Sequence, residues 1–159
     1  TDAWSLYGGY TYLDSELKDN GFVCGAPVGR TCPSNMYVPS PYNGNVFPNT
    51  AKHSANLWTT YRFMPGWKAG LGAETKGERY GYNPTAANGP FVNGKFSPNV
   101  APSYTRWDAM LAYEQPSYTV RMNVRNLFDK VYYDSLYEKG GLVVPGTDRA
   151  VILTAEFKF

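Results

Sequence analysis

The last nine residues of the chain alternate between apolar and polar side chains, and this two-residue period constrains the fold more than any other feature. One side carries Val151, Leu153, Ala155, Phe157 and Phe159, and the other carries Thr154, Glu156 and Lys158. Successive side chains of a β-strand point to opposite faces, so the pattern predicts a strand with one apolar face. An aromatic ending suits a barrel wall in lipid, because the terminus of a soluble domain usually frays in water.

Five further segments show the same alternation. The predicted strands cover about residues 3–14, 53–63, 67–80, 104–114 and 118–133, and each is long enough to cross a membrane at a tilt. Trp58 is an exception, because it falls on the polar side of its strand. No run of 18 or more apolar residues exists, which excludes transmembrane helices. The sequence therefore predicts an all-β fold, an antiparallel transmembrane β-barrel with about six strands in this chain.

The connections between these strands alternate in length. Residues 64–66 and 115–117 are tight turns with proline, whereas residues 14–52, 81–102 and 134–147 are long. Long loops are uncommon in compact soluble domains unless they are functional. Tight turns at one end and long loops at the other predict an outer-membrane barrel, with its turns in the periplasm and its loops outside the cell.

Aromatic residues make up 16% of the chain, and several of them stand near the tight-turn end on the apolar faces. These residues are Trp4, Phe63, Trp67, Tyr113, Tyr118 and Phe159. Such a girdle is typical of the boundary between lipid tails and headgroups. The alternative is a soluble β-sandwich, whose inner face also alternates, but a sandwich has no reason to place its aromatic residues at one height.

The two cysteines, the single histidine and the charge distribution limit the functions that this chain could have. Cys24 and Cys32 lie close together in a stretch rich in proline, glycine and asparagine, which predicts a local disulfide in an oxidising compartment. A metal site would need further ligands nearby.

The only histidine, His53, has no obvious carboxylate partner in the neighbouring sequence, so we predict no enzyme activity. The net charge is +2 and the basic residues are scattered, which argues against binding of nucleic acid.

Four motifs resemble one family. They are Val124-Arg-Asn-Leu-Phe-Asp-Lys-Val-Tyr-Tyr133, Pro145-Gly-Thr-Asp-Arg149, Gly77-Glu-Arg-Tyr-Gly81 and Pro102-Ser-Tyr-Thr-Arg-Trp-Asp108. The first two resemble the C-terminal end of TonB-dependent outer-membrane receptors. The other two resemble strand ends of the siderophore-receptor branch, in particular of its catecholate receptors.

The resemblance implies a larger molecule and a transport function. The family's barrel has about 22 strands around a globular plug, so residues 1–159 would be a single C-terminal barrel segment, without the plug and the earlier strands. It implies import of a ferric siderophore across the bacterial outer membrane with energy from TonB, which acts through the plug. It implies contact with outer-membrane lipid and with the barrel-assembly machinery, and no resident cofactor. The alternatives are a smaller barrel with an adhesion or structural role, or a receptor for heme or a vitamin.

An iron complex of aryl-oxygen ligands is anionic and has flat faces, so guanidinium and phenol groups near the outer rim are candidate contacts. These candidates are Arg79, Tyr80 and Tyr82, with Tyr37, Tyr42 and Phe47 as weaker choices. The alternative is that the same residues pack the loops. Asn126 and Asp129 belong to the family motif, and we expect them to hold the upper end of their strand and the following loop.

Charged residues line the face opposite the apolar one. They are Arg62, Lys68, Glu74, Lys76, Arg106, Asp108, Arg121 and Arg125. In a plugged barrel we expect these groups to face the lumen and to pair with one another, with the plug or with water.

Overall fold

A computed structural model describes residues 3–18, 21–25, 31–40, 43–81, 91–92, 95–96, 99–137 and 141–159. In chain order the strands are β1 (Trp4–Tyr12), β2 (Phe22–Cys24), β3 (Tyr37–Pro39), β4 (His53–Met64), β5 (Trp67–Lys76), β6 (Arg79–Tyr80), β7 (Phe91–Val92), β8 (Lys95–Phe96), β9 (Val100–Ala101), β10 (Tyr104–Glu114), β11 (Tyr118–Arg125), β12 (Tyr133–Tyr137), β13 (Leu142–Pro145) and β14 (Ala150–Phe157). A short 3-10 helix covers Ser34–Met36. Within the described ranges, no helix is long and apolar enough to cross a membrane.

The six long strands form one antiparallel sheet in the order β1-β4-β5-β10-β11-β14. Tight turns join β4 to β5 and β10 to β11, as the proline-containing segments predict. Gly66, in the first of these turns, has a φ of 76°, a left-handed conformation that favours glycine. β1 and β14 form the two edges, so the sheet is open, as the sequence predicts for part of a larger barrel.

The long connections lie at the opposite end of the sheet and contain short hairpins that the alternation does not predict. β2 pairs with β3, β6 with β9, β7 with β8, and β12 with β13. These pairings are only two to four residue pairs long. A period of two residues is not recognisable in a sequence over so short a stretch.

Three predicted strands are too long. The third ends at Lys76 instead of continuing to residue 80, and Arg79 and Tyr80 form the separate strand β6. The fifth ends at Arg125 instead of residue 133, because Asn126 has a φ of 50° and turns the chain out of the sheet. The first strand is also shorter than residues 3–14, since β1 covers Trp4–Tyr12.

Within the described part of the chain, nothing packs as a second layer over the apolar face of the sheet. Leu6 is 56% exposed, Leu153 is 72% exposed and Phe157 is 63% exposed. Among the described residues, the buried hydrophobic side chains are Ala101, Tyr104, Ala112, Tyr132 and Leu136. A soluble sandwich would bury its large apolar side chains between two sheets, so the exposed apolar face fits lipid instead.

The predicted aromatic girdle is present as a row of rings along the tight-turn end. Ring centroids are 6.4 Å apart for Phe63–Trp67, 4.9 Å for Trp67–Tyr113, 6.2 Å for Tyr113–Tyr118 and 6.5 Å for Tyr118–Phe157. The prediction for the last strand was displaced by two residues, because β14 ends at Phe157 and this ring, not that of Phe159, contacts Tyr118. Trp4 lies opposite Tyr61 in the β1–β4 register.

Trp58 lies on the lumen face, and the neighbouring strand explains how it fits there. Trp58 pairs with Gly72 across β4 and β5. A Cβ atom added at Gly72 would lie 2.1 Å from the indole, and one at Gly70 would lie 2.9 Å from it. The indole therefore lies flat over two positions of β5 that carry no side chain.

Candidate functional site at the outer end of the sheet

Asn126 connects three segments at the outer end of the sheet. Its side-chain amide donates to the carbonyls of Lys130 (3.0 Å) and Thr147 (2.9 Å), and its oxygen accepts from the Lys130 N–H (2.8 Å). Its backbone N–H donates to Asp108 Oδ1 at 2.8 Å. The residue is fully buried, and its backbone N–H and side chain together join β10, the turn after β11 and the approach to β14.

Asp129 completes this connection. It also has a left-handed backbone, with a φ of 53°, and its carboxylate accepts from the Arg149 backbone N–H at 2.9 Å. The Leu127 N–H donates to the Trp107 carbonyl at 2.7 Å. The predicted role of Asn126 and Asp129, to hold the strand end and the following loop, is confirmed.

Two neighbouring tyrosine rings lie beside this connection, with an arginine on each side of the pair. The Arg79 guanidinium lies 5.8 Å from the Tyr104 ring, the Tyr104 and Tyr132 rings lie 4.4 Å apart, and the Arg106 guanidinium lies 5.9 Å from the Tyr132 ring. Burial tends to raise the pKa of Tyr132, but hydrogen bonds with Thr147 and Arg106 outweigh burial and lower it. Each guanidinium lies over the face of a tyrosine ring, and the negative charge density of that face attracts it.

Arg106 also holds two carboxylates on the lumen face. Its guanidinium lies 3.0 Å from Glu74 and 3.2 Å from Asp108. Lys76 lies 3.8 Å from Glu74 and 3.4 Å from Asp134. The predicted mutual pairing of inward charges is thus found at this end of the sheet.

Arg79, the first candidate ligand contact, is buried within the loops. Only 3% of it is exposed, and its guanidinium donates to the backbone carbonyls of Tyr133 and Asp134. This arrangement joins β6 to β12, which lie more than 50 residues apart in the chain. The contact of Arg79 with a ligand stays a prediction, but the structure gives this side chain a structural task.

Replacement of Arg79 by lysine tests that task. We expect the full-length receptor to lose about 1–2 kcal/mol of stability, because an ammonium group cannot reproduce the fork that reaches two carbonyls. Hydrogen exchange at the amides of β12 should become faster. The exposed Arg149 provides the matched control, and Arg149→Lys should leave both quantities unchanged. A variant of Arg79 with unchanged stability and weaker ligand binding would instead support direct contact with the ligand.

Tyr80 lines a cavity of about 380 Å³ at the outer end of the sheet, together with Lys52, Asp14 and Glu78. Its hydroxyl donates to Glu78 Oε1 at 2.9 Å, and this hydrogen bond raises the pKa of Tyr80. Lys52 lies 3.2 Å from Asp14 and 5.4 Å from the centre of the Tyr12 ring. Interaction with Tyr12, and then with Asp14, raises the pKa of Lys52. The cavity therefore contains an accessible phenol and a cation that stays charged.

The weaker candidates occupy other loops. Tyr37 is 53% exposed on β3, opposite Cys24 of β2, and the disulfide predicted between Cys24 and Cys32 is formed beside this hairpin. Phe47 is 45% exposed. Tyr42 and Tyr82 lie outside the described residues. The structure thus brings Arg79 and Tyr80 together on β6 and leaves Tyr37 on a separate hairpin.

Glu114 and His53 each contact neighbouring side chains on the sheet. Glu114 lies 3.3 Å from Arg62 and 3.7 Å from Lys68 near the tight turns. His53 Nδ1 is 2.7 Å from the Tyr10 hydroxyl, on the lipid-facing side of β1 and β4. No group of three His, Cys, Asp or Glu residues that could hold a metal ion is found in the described part of the chain.

Comparison with known proteins places this geometry in a family. A family model described as TonB dependent receptor-like, beta-barrel matches residues 1–127. The probable TonB-dependent siderophore receptor PiuA of Acinetobacter baumannii is 36% identical over 160 residues, which cover 100% of this chain and 19% of that protein. The catecholate siderophore receptor Fiu of Escherichia coli K12 is 29% identical over 161 residues, which cover 100% of this chain and 18% of that protein.

Solved structures agree. The crystal structure of the siderophore receptor PiuA from A. baumannii matches 100% of this chain and 20% of its own chain, with a TM-score of 0.74 and 34% identity. The closed form of Fiu from E. coli K12 matches with a TM-score of 0.69 and 27% identity, over 100% of this chain and 19% of that chain.

The relatives are receptors and transporters, which confirms the prediction that the chain is not an enzyme. The chain spans about a fifth of the length of the curated relatives that it matches. The chain belongs to the TonB-dependent receptor family and forms part of the outer-membrane β-barrel of such a receptor.

Proposed function

We propose that the receptor containing this chain imports a ferric siderophore across the outer membrane with energy from TonB. The observation that carries the proposal is the similarity to the siderophore receptor PiuA along the whole chain, at 36% identity. The similarity to Fiu, which is named a catecholate siderophore receptor, favours an aryl-oxygen iron complex as cargo. The iron complex is cargo, so no resident cofactor is part of the proposal.

Within this chain, we assign the contact with the ligand to the outer rim. Tyr80 and Lys52 share one cavity and offer a phenol ring and a positive charge. Lys52 attracts an anionic complex, and the Tyr80 ring offers a flat surface on which an aryl group can stack. Asp14 and Glu78 line the same cavity and repel further negative charge. Only one edge of an anionic ligand would therefore enter the cavity, beside Lys52. Arg79, next in sequence to Tyr80, positions the strand from which Tyr80 projects.

The coupling partners follow from the family. TonB would act through a plug domain in the barrel, and the lumen-facing charges would line the path that the ligand takes past that plug. Insertion of the barrel into the membrane would use the barrel-assembly machinery. The exposed apolar face and the aromatic girdle support contact with outer-membrane lipid.

The decisive experiment measures uptake of radioactive iron by cells with and without the gene. The panel contains ferric catecholate, hydroxamate and citrate complexes, with heme and a vitamin as the competing cargoes. We expect uptake of at least one ferric siderophore to be lost on deletion of the gene, to return with the full-length receptor, and to require TonB. Unchanged uptake of every ferric siderophore would contradict the proposal. Loss of heme or vitamin uptake alone would support the competing cargo.

A further inference from the structure

A small cavity lies on the lumen face, between the middle of β4 and the outer ends of β11 and β14. It has a volume of about 290 Å³, and it is lined by Trp58 from β4, Asp108 from β10, Asn123 and Arg125 from β11, and Ile152 from β14. We call it the Trp58 cavity. It is separate from the outer-rim cavity that contains Tyr80.

The indole of Trp58 reaches this cavity across a neighbouring strand. β5 lies between β4 and β10 in the sheet, and side chains on its lumen face would normally block the indole. Gly70 and Gly72 leave the space open, with Met110 at the far side of Gly70. One face of the indole is therefore held against β5, and Trp58 also lines the cavity beside β10 and β11.

Two charged residues line the cavity, and only Asp108 has an ion-pair partner among the described residues. Asp108 is already engaged, because it lies 3.2 Å from Arg106 and accepts a hydrogen bond from the Asn126 backbone. Arg125 forms no ion pair with any residue in the described parts of the chain. Arg125 is exposed on the lumen face, so its guanidinium is open to an anionic ligand that can accept its hydrogen bonds.

We propose that the Trp58 cavity is a subsite for one anionic aryl group of the transported iron complex. The indole provides a flat surface for stacking, Arg125 neutralises a phenolate oxygen, and Asn123 offers a hydrogen bond. The volume of about 290 Å³ is just below the usual range for ligand pockets, about 300–1,000 Å³, so it suits a single ring and not a whole chelate. The assignment rests on the proposed function and adds a lumenal step to it.

The glycine floor provides a test that leaves Trp58 in place. A methyl group at Gly72 would collide with the indole, whereas one at Gly9, on the same face of the sheet, would meet no atom closer than 3.7 Å. We therefore expect Gly72→Ala and Trp58→Ala to slow uptake of a ferric tris-catecholate by about tenfold, and Gly9→Ala to leave it unchanged. Binding of the same complex to non-energised cells should be unaffected, because the outer rim is intact.

A second pair of variants tests the charge. Arg125→Gln should slow uptake, whereas Arg121→Gln should not, because Arg121 is on the same face of the same strand but does not line the cavity. Trp58→Phe should restore part of the rate, since it keeps an aromatic face. Uptake of a ferric trihydroxamate, which has no aryl group, should not respond to any of these variants.

Three outcomes would overturn the assignment. One is normal catecholate uptake by Trp58→Ala and Gly72→Ala, and another is an equal loss for both classes of complex. The third is a lower unfolding temperature or faster proteolysis of the receptor in step with the loss, which would make the cavity a packing site for protein. A wild-type receptor that imports no ferric complex would instead refute the proposed function.

Discussion

Replacement of Asn126 by alanine should destabilise the full-length receptor by about 3 kcal/mol. The change removes three hydrogen bonds made by the side chain, two to Lys130 and one to Thr147. It also leaves a residue with a Cβ in the left-handed region, without the local hydrogen bonds that make this conformation acceptable for asparagine. Denaturant unfolding of the receptor in lipid vesicles measures the loss.

Two variants separate the causes. Asn126→Gly relieves the backbone strain and should recover about 1 kcal/mol, so the rest belongs to the hydrogen bonds. Asn49 is the matched control, because its φ is 54° and its side chain has one hydrogen-bond partner among the described residues, the Leu136 N–H at 3.3 Å. Equal destabilisation by Asn49→Ala and Asn126→Ala would show that Asn126 does not have the special role described for it.

Replacement of Gly146 by alanine should cost about 3 kcal/mol as well, for a steric reason. A Cβ at this position would lie 2.1–2.3 Å from three carbon atoms of the Tyr132 ring. The ring has little freedom to move, because Tyr104 packs against it at 4.4 Å and its hydroxyl accepts from Arg106 at 3.1 Å. The same unfolding measurement applies.

A double-mutant cycle shows whether the ring is the cause. In a Tyr132→Ala background, Gly146→Ala should cost less than about 1 kcal/mol, because the obstacle is gone. A coupling energy near zero between the two positions would contradict the collision. The cycle also corrects for any effect that alanine has on the unfolded chain, since that effect occurs in both backgrounds.

The sheet could be predicted from the sequence because its strands are long and half-exposed to lipid. Alternation over eight or more residues identifies each of the six strands, and proline-containing turns identify the end at which they reverse. The end of the fifth strand was missed, although Asn126 and Asp129 gave a signal. Both residue types tolerate a left-handed backbone, and both adopt it there.

The candidate site was less predictable, because its contacts join residues far apart in the chain. Arg79 has the chemistry of a ligand contact, and only the carbonyls of Tyr133 and Asp134 show that its guanidinium is already bound. The stack of Tyr104 and Tyr132 likewise depends on the fold, since nothing in their spacing brings the rings together. Trp58 departs from the alternation of its strand, and the sequence does not show that Gly70 and Gly72 of the next strand leave room for its indole.

The row of rings from Phe63 to Phe157 also determines how the strands can align during assembly. Each ring contacts the ring on the next strand, so a strand shifted by two residues would keep its apolar face towards lipid and still lose its aromatic neighbours on both sides. The shifted ring would also leave the membrane boundary. Alternation alone cannot distinguish such misaligned sheets from the correct one. The girdle therefore favours the correct strand register and disfavours shifted registers that the apolar face alone would allow.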